Sequence, residues 1–165
     1  NWAGDVKGDD VRSQLRDPDN LDFRPKKESE LIDAGALIEG KNIQFLGNAP
    51  DIGAYEYGDT NYWIPGFQDK KASIPIPKNK TTTAKKNADL MWLTAYKSVV
   101  SDVYFGTNIL DVEKATKEST EYKGTQQNNI YIPVGLESGK TYFWRIDSKV
   151  NESIVKGDVF EFTVK

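Results

Sequence analysis

From Ala88 to the C-terminus the chain alternates apolar and polar residues in one short run after another. "ADLMWL" sets Leu90 and Trp92 on one face, and "DVYFGTN" does the same for Val103 and Phe105. "NIYIPV", "TYFWRIDSKV" and "DVFEFTVK" follow the same period of two. Turn signals separate the runs at intervals of roughly eight to twelve residues, the spacing of an antiparallel sandwich. A chain patterned this way has to bury one face of each strand against a second sheet. One helical turn is expected between strands, over "DVEKATKE" at 111–118.

The first third reads differently. Residues 1–20 are rich in Asp, Gly and Asn, hold no period and read as loop. From 21 to 58 come "LDFRP", "SELIDAG", "ALIEG", "IQFLG" and "DIGAYEYG", mostly closed by glycine. These predict strands of about four or five residues with tight turns and no hairpin dipeptide between them. That pattern suits a solenoid, in which each coil lies on the one before. Residues 59–87 carry Pro65, Pro75 and Pro77, which fit extended or edge backbone, and 78–87 is a polar Lys/Thr/Asn run expected to be loop. The domain boundary is expected near Gly66, giving domains 1–66 and 67–165.

Composition removes whole classes of chemistry. The chain has 165 residues, no cysteine and no histidine. That excludes disulfides, thiol nucleophiles, Ser-His-Asp machinery and histidine-ligated metals. A net charge of −3 argues against nucleic acid as a partner, and no run is long and apolar enough to span a membrane. Aromatics make up 12% of the chain, which favours strands. The chain opens on Asn1 rather than Met and reads as a processed or excised piece. Asp5, Asp9, Asp10, Asp17 and Asp19 are candidate calcium ligands by residue type, although their spacing is not that of an EF-hand, and a solvated acidic loop is the favoured reading.

Two stretches carry resemblances. "LESGKTYFWRID", with Leu136, Gly139 and Tyr142, is similar to the tyrosine corner of fibronectin type III domains. The resemblance implies that Tyr142 turns its hydroxyl back onto upstream backbone, that Trp92 is the core tryptophan of an early strand and that "GDVFEFTVK" is the last strand. The variant resembled is the one attached to secreted bacterial polysaccharide-degrading enzymes. In the first part, "FRPKKESELIDAG" followed by "APDIGAYEYG" resembles the C-terminal end of a right-handed parallel β-helix of the pectate-lyase-like kind. The matching residues are Ser29, Leu31, Ile32, Asp33 and Gly35, then Asp51, Ile52, Gly53, Ala54 and Glu56. The fold expected is therefore all-β: terminal coils and cap of a β-helix joined to a fibronectin type III-like sandwich. The resemblance implies a secreted or cell-surface bacterial protein with upstream coils as its partner.

The acids in this motif invite a catalytic reading, since glycosidases work with two carboxylates across a cleft. Asp33, Asp51 and Glu56 are instead expected to be structural, the two aspartates accepting backbone N–H groups at turns. No catalytic residue is assigned. Tyr62 and Trp63, with Arg24 and Lys26, are the candidates for carbohydrate contact, although packing at a domain junction is the favoured reading of the aromatics and a solvated basic turn that of the cations. The function expected is non-catalytic, closing the solenoid and acting as a spacer or glycan-contact module for a polysaccharide lyase or glycoside hydrolase. The alternative is part of a surface adhesin or interaction protein with no enzymatic activity.

Overall fold

The computed structural model describes residues 11–40 and 44–165. The chain divides into two compact units, Asn1–Asp59 and Thr60–Lys165. It is mostly β, with three sheets and one short α-helix among the described residues.

In the first unit a 3-10 turn at Val11–Gln14 leads into β1 (Leu15–Asp17). A second turn, Pro18–Asn20, reverses the chain into β2 (Asp22–Pro25), which pairs antiparallel with β1. Residues 11–20 were expected to be loop. Proline at the first position of the turn, with its fixed φ, and the buried Asn20 bonding back to Asp17 (2.8 Å) build a hairpin there instead. Strands were also expected over "SELIDAG", "ALIEG" and "DIGAYEYG". The backbone there is turn and bend, as is the described part of "IQFLG", whose Ile43 lies outside the described residues. No solenoid coil forms among the described residues. The reason is local: side-chain carboxylates take the N–H groups that a neighbouring strand would otherwise take, as described below.

The second unit holds two sheets. One contains β4 (Thr81–Ala84), β11 (Val159–Val164), β9 (Thr141–Val150), β6 (Ser98–Gly106) and β7 (Tyr122–Gln126), in that order, with β10 (Ser153–Val155) also on β9. The other is β3 (Ser73–Ile76), β5 (Leu90–Leu93) and β8 (Ile130–Tyr131). All pairings are antiparallel except β4 with β11. Neither sheet closes on itself. Alternation does the sorting. Val103 and Phe105 on β6, Tyr142, Trp144 and Ile146 on β9, and Phe160, Phe162 and Val164 on β11 share one core with Leu90 and Trp92 on β5. Aromatic pairs tie it together: Trp92 and Trp144 lie 6.2 Å apart, and Tyr142 stacks between Phe105 and Phe162.

Several local differences have plain causes. The polar run 78–87 contains a strand, β4, because Thr81 and Ala84 register against Phe162 and Val164 and Ala84 enters the core. "NIYIPV" supplies only Ile130 and Tyr131; Pro133 has no N–H to continue the ladder, and Ile132 and Val134 are exposed. Pro75 sits in β3, an edge strand. The helical turn is α1 (Ile109–Lys114), beginning just before the expected stretch because Asn108 caps the N–H groups of Leu110 and Asp111. The units divide at Asp59 and Thr60, ahead of Gly66. Asn129 accepts from the N–H of Tyr62 (2.7 Å) and donates to the carbonyls of Tyr62 (2.7 Å) and Trp92 (2.8 Å), so Tyr62 and Ile64 are buried within the second unit.

The Tyr142 hydroxyl accepts the N–H of Glu137 at 2.9 Å, closing the loop that Gly139 turns at φ 78°. Tyr142→Phe leaves that donor without its partner and is expected to lower stability by about 1–3 kcal/mol. Chemical denaturation of the full chain measures it; an unchanged midpoint for the second unit's transition would show that the hydroxyl does not hold the loop.

Candidate functional site

The acids Asp33, Asp51 and Glu56 converge on main-chain donors. Segments 31–35 and 50–52 lie side by side, with the N–H of Gly35 on the Pro50 carbonyl (2.7 Å) and that of Ile52 on the Leu31 carbonyl (2.8 Å). Between these bonds the Asp51 side chain substitutes for a strand. One oxygen accepts the N–H of Asp33 (2.8 Å) and the other that of Tyr57 (2.6 Å). Asp33 in turn receives the N–H groups of Asn48 (2.8 Å) and Ala49 (3.2 Å). Glu56 receives those of Asp51 (3.0 Å) and Leu46 (3.2 Å). Ser29 holds the N–H of Leu31 (3.2 Å), and Leu31 itself is buried. The three carboxylates thus form a chain of turn clamps. Charge-assisted bonds of this kind are stronger than those to a neutral carbonyl.

Two glycines are required by the same geometry. A Cβ on Gly35 would stand 2.5 Å from the Pro50 carbonyl oxygen, and one on Gly47, whose φ is 91°, would stand 2.3 Å from Asp33 Oδ1. Gly35 belongs to the motif read from the sequence; the need for Gly47 appears only once Asp33 is placed. The N–H groups of Ala49 and Asn48 hold the Asp33 carboxyl below the usual aspartate range. The depressed folded value means its contribution is present above that range and is lost as pH falls below it.

Beside the clamps the first unit opens an apolar cleft of about 400 Å³, lined by Leu15, Phe23, Pro25, Leu31 and Ile52 among others. Phe23 and Val11 remain substantially exposed at it. Of the apolar residues a preceding coil would cover, Leu21, Phe23, Leu31, Ile32 and Ile52, three line this cleft, Phe23, Leu31 and Ile52, and Leu21 and Ile32 do not.

The candidates for carbohydrate contact separate. Tyr62 is buried and fixed by Asn129, whereas Trp63 is 66% exposed. Arg24 forms a two-point bond with the buried Asp22, at 2.8 and 2.7 Å, and its side chain is mostly covered. Lys26 is exposed. Of the candidate calcium ligands, Asp17 bonds Asn20 and Asp19 pairs with Arg12; Asp5, Asp9 and Asp10 lie outside the described residues. No group of three or more acids placed to hold a metal ion occurs among the described residues. No helix among them is long and apolar enough to cross a membrane.

Two features of the second unit become complete only in the structure. The first is an open cleft bordered by Gly66, Phe67, Gln68 and Tyr96, in which Phe67 is 94% and Tyr96 58% exposed. Phe67 belongs to the aromatic stretch "YEYGDTNYWIPGF", whose rings read from the sequence as packing at a domain junction rather than stacking on sugar; nothing there places Tyr96 next to it. The second is a buried charge on the outer face of the larger sheet. The Arg145 side chain, 1% exposed, bonds Asp147 at 2.8 and 3.0 Å and the carbonyls of Val112, Glu113 (2.7 Å) and Ala115 (2.8 Å). It also lies 4.1 Å from the Tyr104 ring centre. Nearby on that face the buried Asp102 bonds Lys117 and Thr125, and the hydrogen bond raises the Lys117 ammonium. Every carboxylate in this cluster has a donor, which suits a structural lock better than acid–base chemistry. Comparison with known protein families and with curated proteins found no match.

Proposed function

We propose that this chain is a non-catalytic portion of a secreted bacterial, polysaccharide-active β-helix protein. In this reading the first unit closes the solenoid, and the second is a fibronectin type III-like spacer or glycan-contact module. The parent is a polysaccharide lyase or glycoside hydrolase. The observation that carries the reading is the set of carboxylate clamps: the motif acids Asp33, Asp51 and Glu56 all hold main-chain N–H groups. A pair of acids occupied in this way lacks the substrate-facing geometry of a glycosidase. The closing segment takes its hydrogen bonds from its own side chains, which is what the end of a stacked array needs when no further coil follows. The apolar cleft beside it supports a seat for the preceding coil. In the second unit, the strand order and the Tyr142–Glu137 bond support the fibronectin type III-like reading.

Incubation of the chain with alginate, pectin, chondroitin, ulvan and agar should yield no cleavage product. Product formation abolished by Asp33→Asn or Glu56→Gln would overturn the non-catalytic assignment. The solenoid reading is tested by dividing the chain between Asp59 and Thr60. Residues 60–165 should melt cooperatively and residues 1–59 should not, because a terminal repeat draws its stability from its neighbour. A cooperative, monomeric transition in the shorter piece would make it a small domain in its own right.

A further inference from the structure

We propose that the cleft between Phe67 and Tyr96 is a binding site for a uronate-bearing polysaccharide, with sugar rings against the two aromatics and carboxylates toward Lys97 and Lys70. The assignment rests on the polysaccharide reading above and gives it a location. The cleft is built from two pinned segments. Gln68 Nε2 donates to Thr94 Oγ1 (3.0 Å) and to the Thr94 carbonyl (3.3 Å), and the N–H of Tyr96 donates to the Asp69 carbonyl (2.8 Å). The two rings therefore stand on main chain that is already fixed, which lowers the ordering cost of binding.

Ring exposure points to a ligand with apolar faces and polar edges. A Phe that is 94% exposed contributes almost nothing to the core, and its face is available for C–H groups of a pyranose. The cleft, about 440 Å³, falls in the size range of small-ligand sites. Charge then selects among sugars. Lys97 Nζ lies 5.3 Å from the Tyr96 ring centre, and Lys70 is exposed in the adjoining segment. Among the described residues neither lysine forms an ion pair, whereas Lys71 is paired with Asp158. Asp69, the acid next to Lys70 in the chain, accepts the N–H of Lys70 (2.6 Å). The two segments that border the cleft, 66–70 and 94–97, carry Lys70 and Lys97 against Asp69, a net positive charge that favours an anionic chain over a neutral one.

Affinity electrophoresis and calorimetry on the full chain test this, with polygalacturonate as the acidic probe and dextran as the neutral one. Polygalacturonate should bind and dextran should not. Phe67→Ala/Tyr96→Ala should weaken binding by at least about tenfold. Lys97→Gln should weaken it less and reduce its sensitivity to salt. All three positions are on the surface, and an unchanged melting curve confirms that the variants fold. Polygalacturonate binding that survives the double substitution overturns this cleft and leaves the polysaccharide reading standing. Equal binding of dextran overturns the uronate assignment. Absence of binding to polygalacturonate, alginate, pectin, chondroitin, ulvan and agar alike overturns the cleft together with the glycan-contact role.

Discussion

Arg145→Leu should destabilise the second unit by about 3–5 kcal/mol, the usual result of removing one partner from a buried ion pair. The substitution leaves the Asp147 carboxylate buried, with the N–H of Gly157 (2.9 Å) as its remaining donor. It also strips the carbonyls at the end of α1 of the guanidinium that donates to them. A helix of six residues has little stability of its own. It is held by Asn108 at its start, by Val112 and Ala115 packed beside Tyr104, and by the Arg145 cation at its end, where the helix dipole favours positive charge. Arg145→Lys should recover only part of the loss, since an ammonium cannot present the planar fork that reaches Asp147 and three carbonyls together. Arg145→Leu/Asp147→Leu should be less destabilised than Arg145→Leu alone, because the stranded charge is gone. Urea denaturation of the four proteins gives the comparison. A double variant no better than the single one would show that Asp147 is not the main liability. A single variant of native stability would remove Arg145 from the set of residues that hold the fold.

Asp51→Ala should loosen the first unit while leaving the second intact. Two N–H groups, those of Asp33 and Tyr57, lose their acceptor, at a cost of about 1–3 kcal/mol for each, the lower end applying where water reaches the donor. The effect should spread along the clamp. Once Asp33 is released its own carboxylate no longer stands over Asn48 and Ala49, and the bonds of Gly35 and Ile52 on either side lose their alignment. Asp51→Asn keeps one acceptor oxygen and should lose about half as much. Amide hydrogen exchange reads this residue by residue: Asp33, Gly35, Ile52 and Tyr57 should exchange faster, and β9 and β11 should not change. Unaltered exchange at Asp33 and Tyr57 in the alanine variant would mean that the carboxylate is dispensable to the turn. The amides of Asn48 and Ala49, which the Asp33 carboxylate holds, should lose protection in acid, below the usual aspartate range, as Asp33 takes up its proton.

The second unit's pattern was legible in the chain alone. Alternation on β5, β6, β9 and β11 is a local property, and one face of each strand has nowhere to go except a shared core, so Trp92, Val103, Phe105, Tyr142 and Phe162 were legible as inward residues. Their outward neighbours were not. Arg145 reads as an ordinary exposed position in an alternating strand, and it is buried only because α1 crosses that face and supplies carbonyls from a distant part of the chain. The cleft of Phe67 and Tyr96 depends in the same way on two loops that meet through Gln68, Thr94 and Asp69. In the first unit the acids of the motif were visible, and the spacing of apolar residues suggested strands. No strand forms over these segments, because Asp33, Asp51 and Glu56 satisfy backbone donors that a strand would have paired across a ladder. A period of two records which residues want burial; which partner a backbone N–H finds is settled only when segments far apart in the chain come within three ångströms or so of one another.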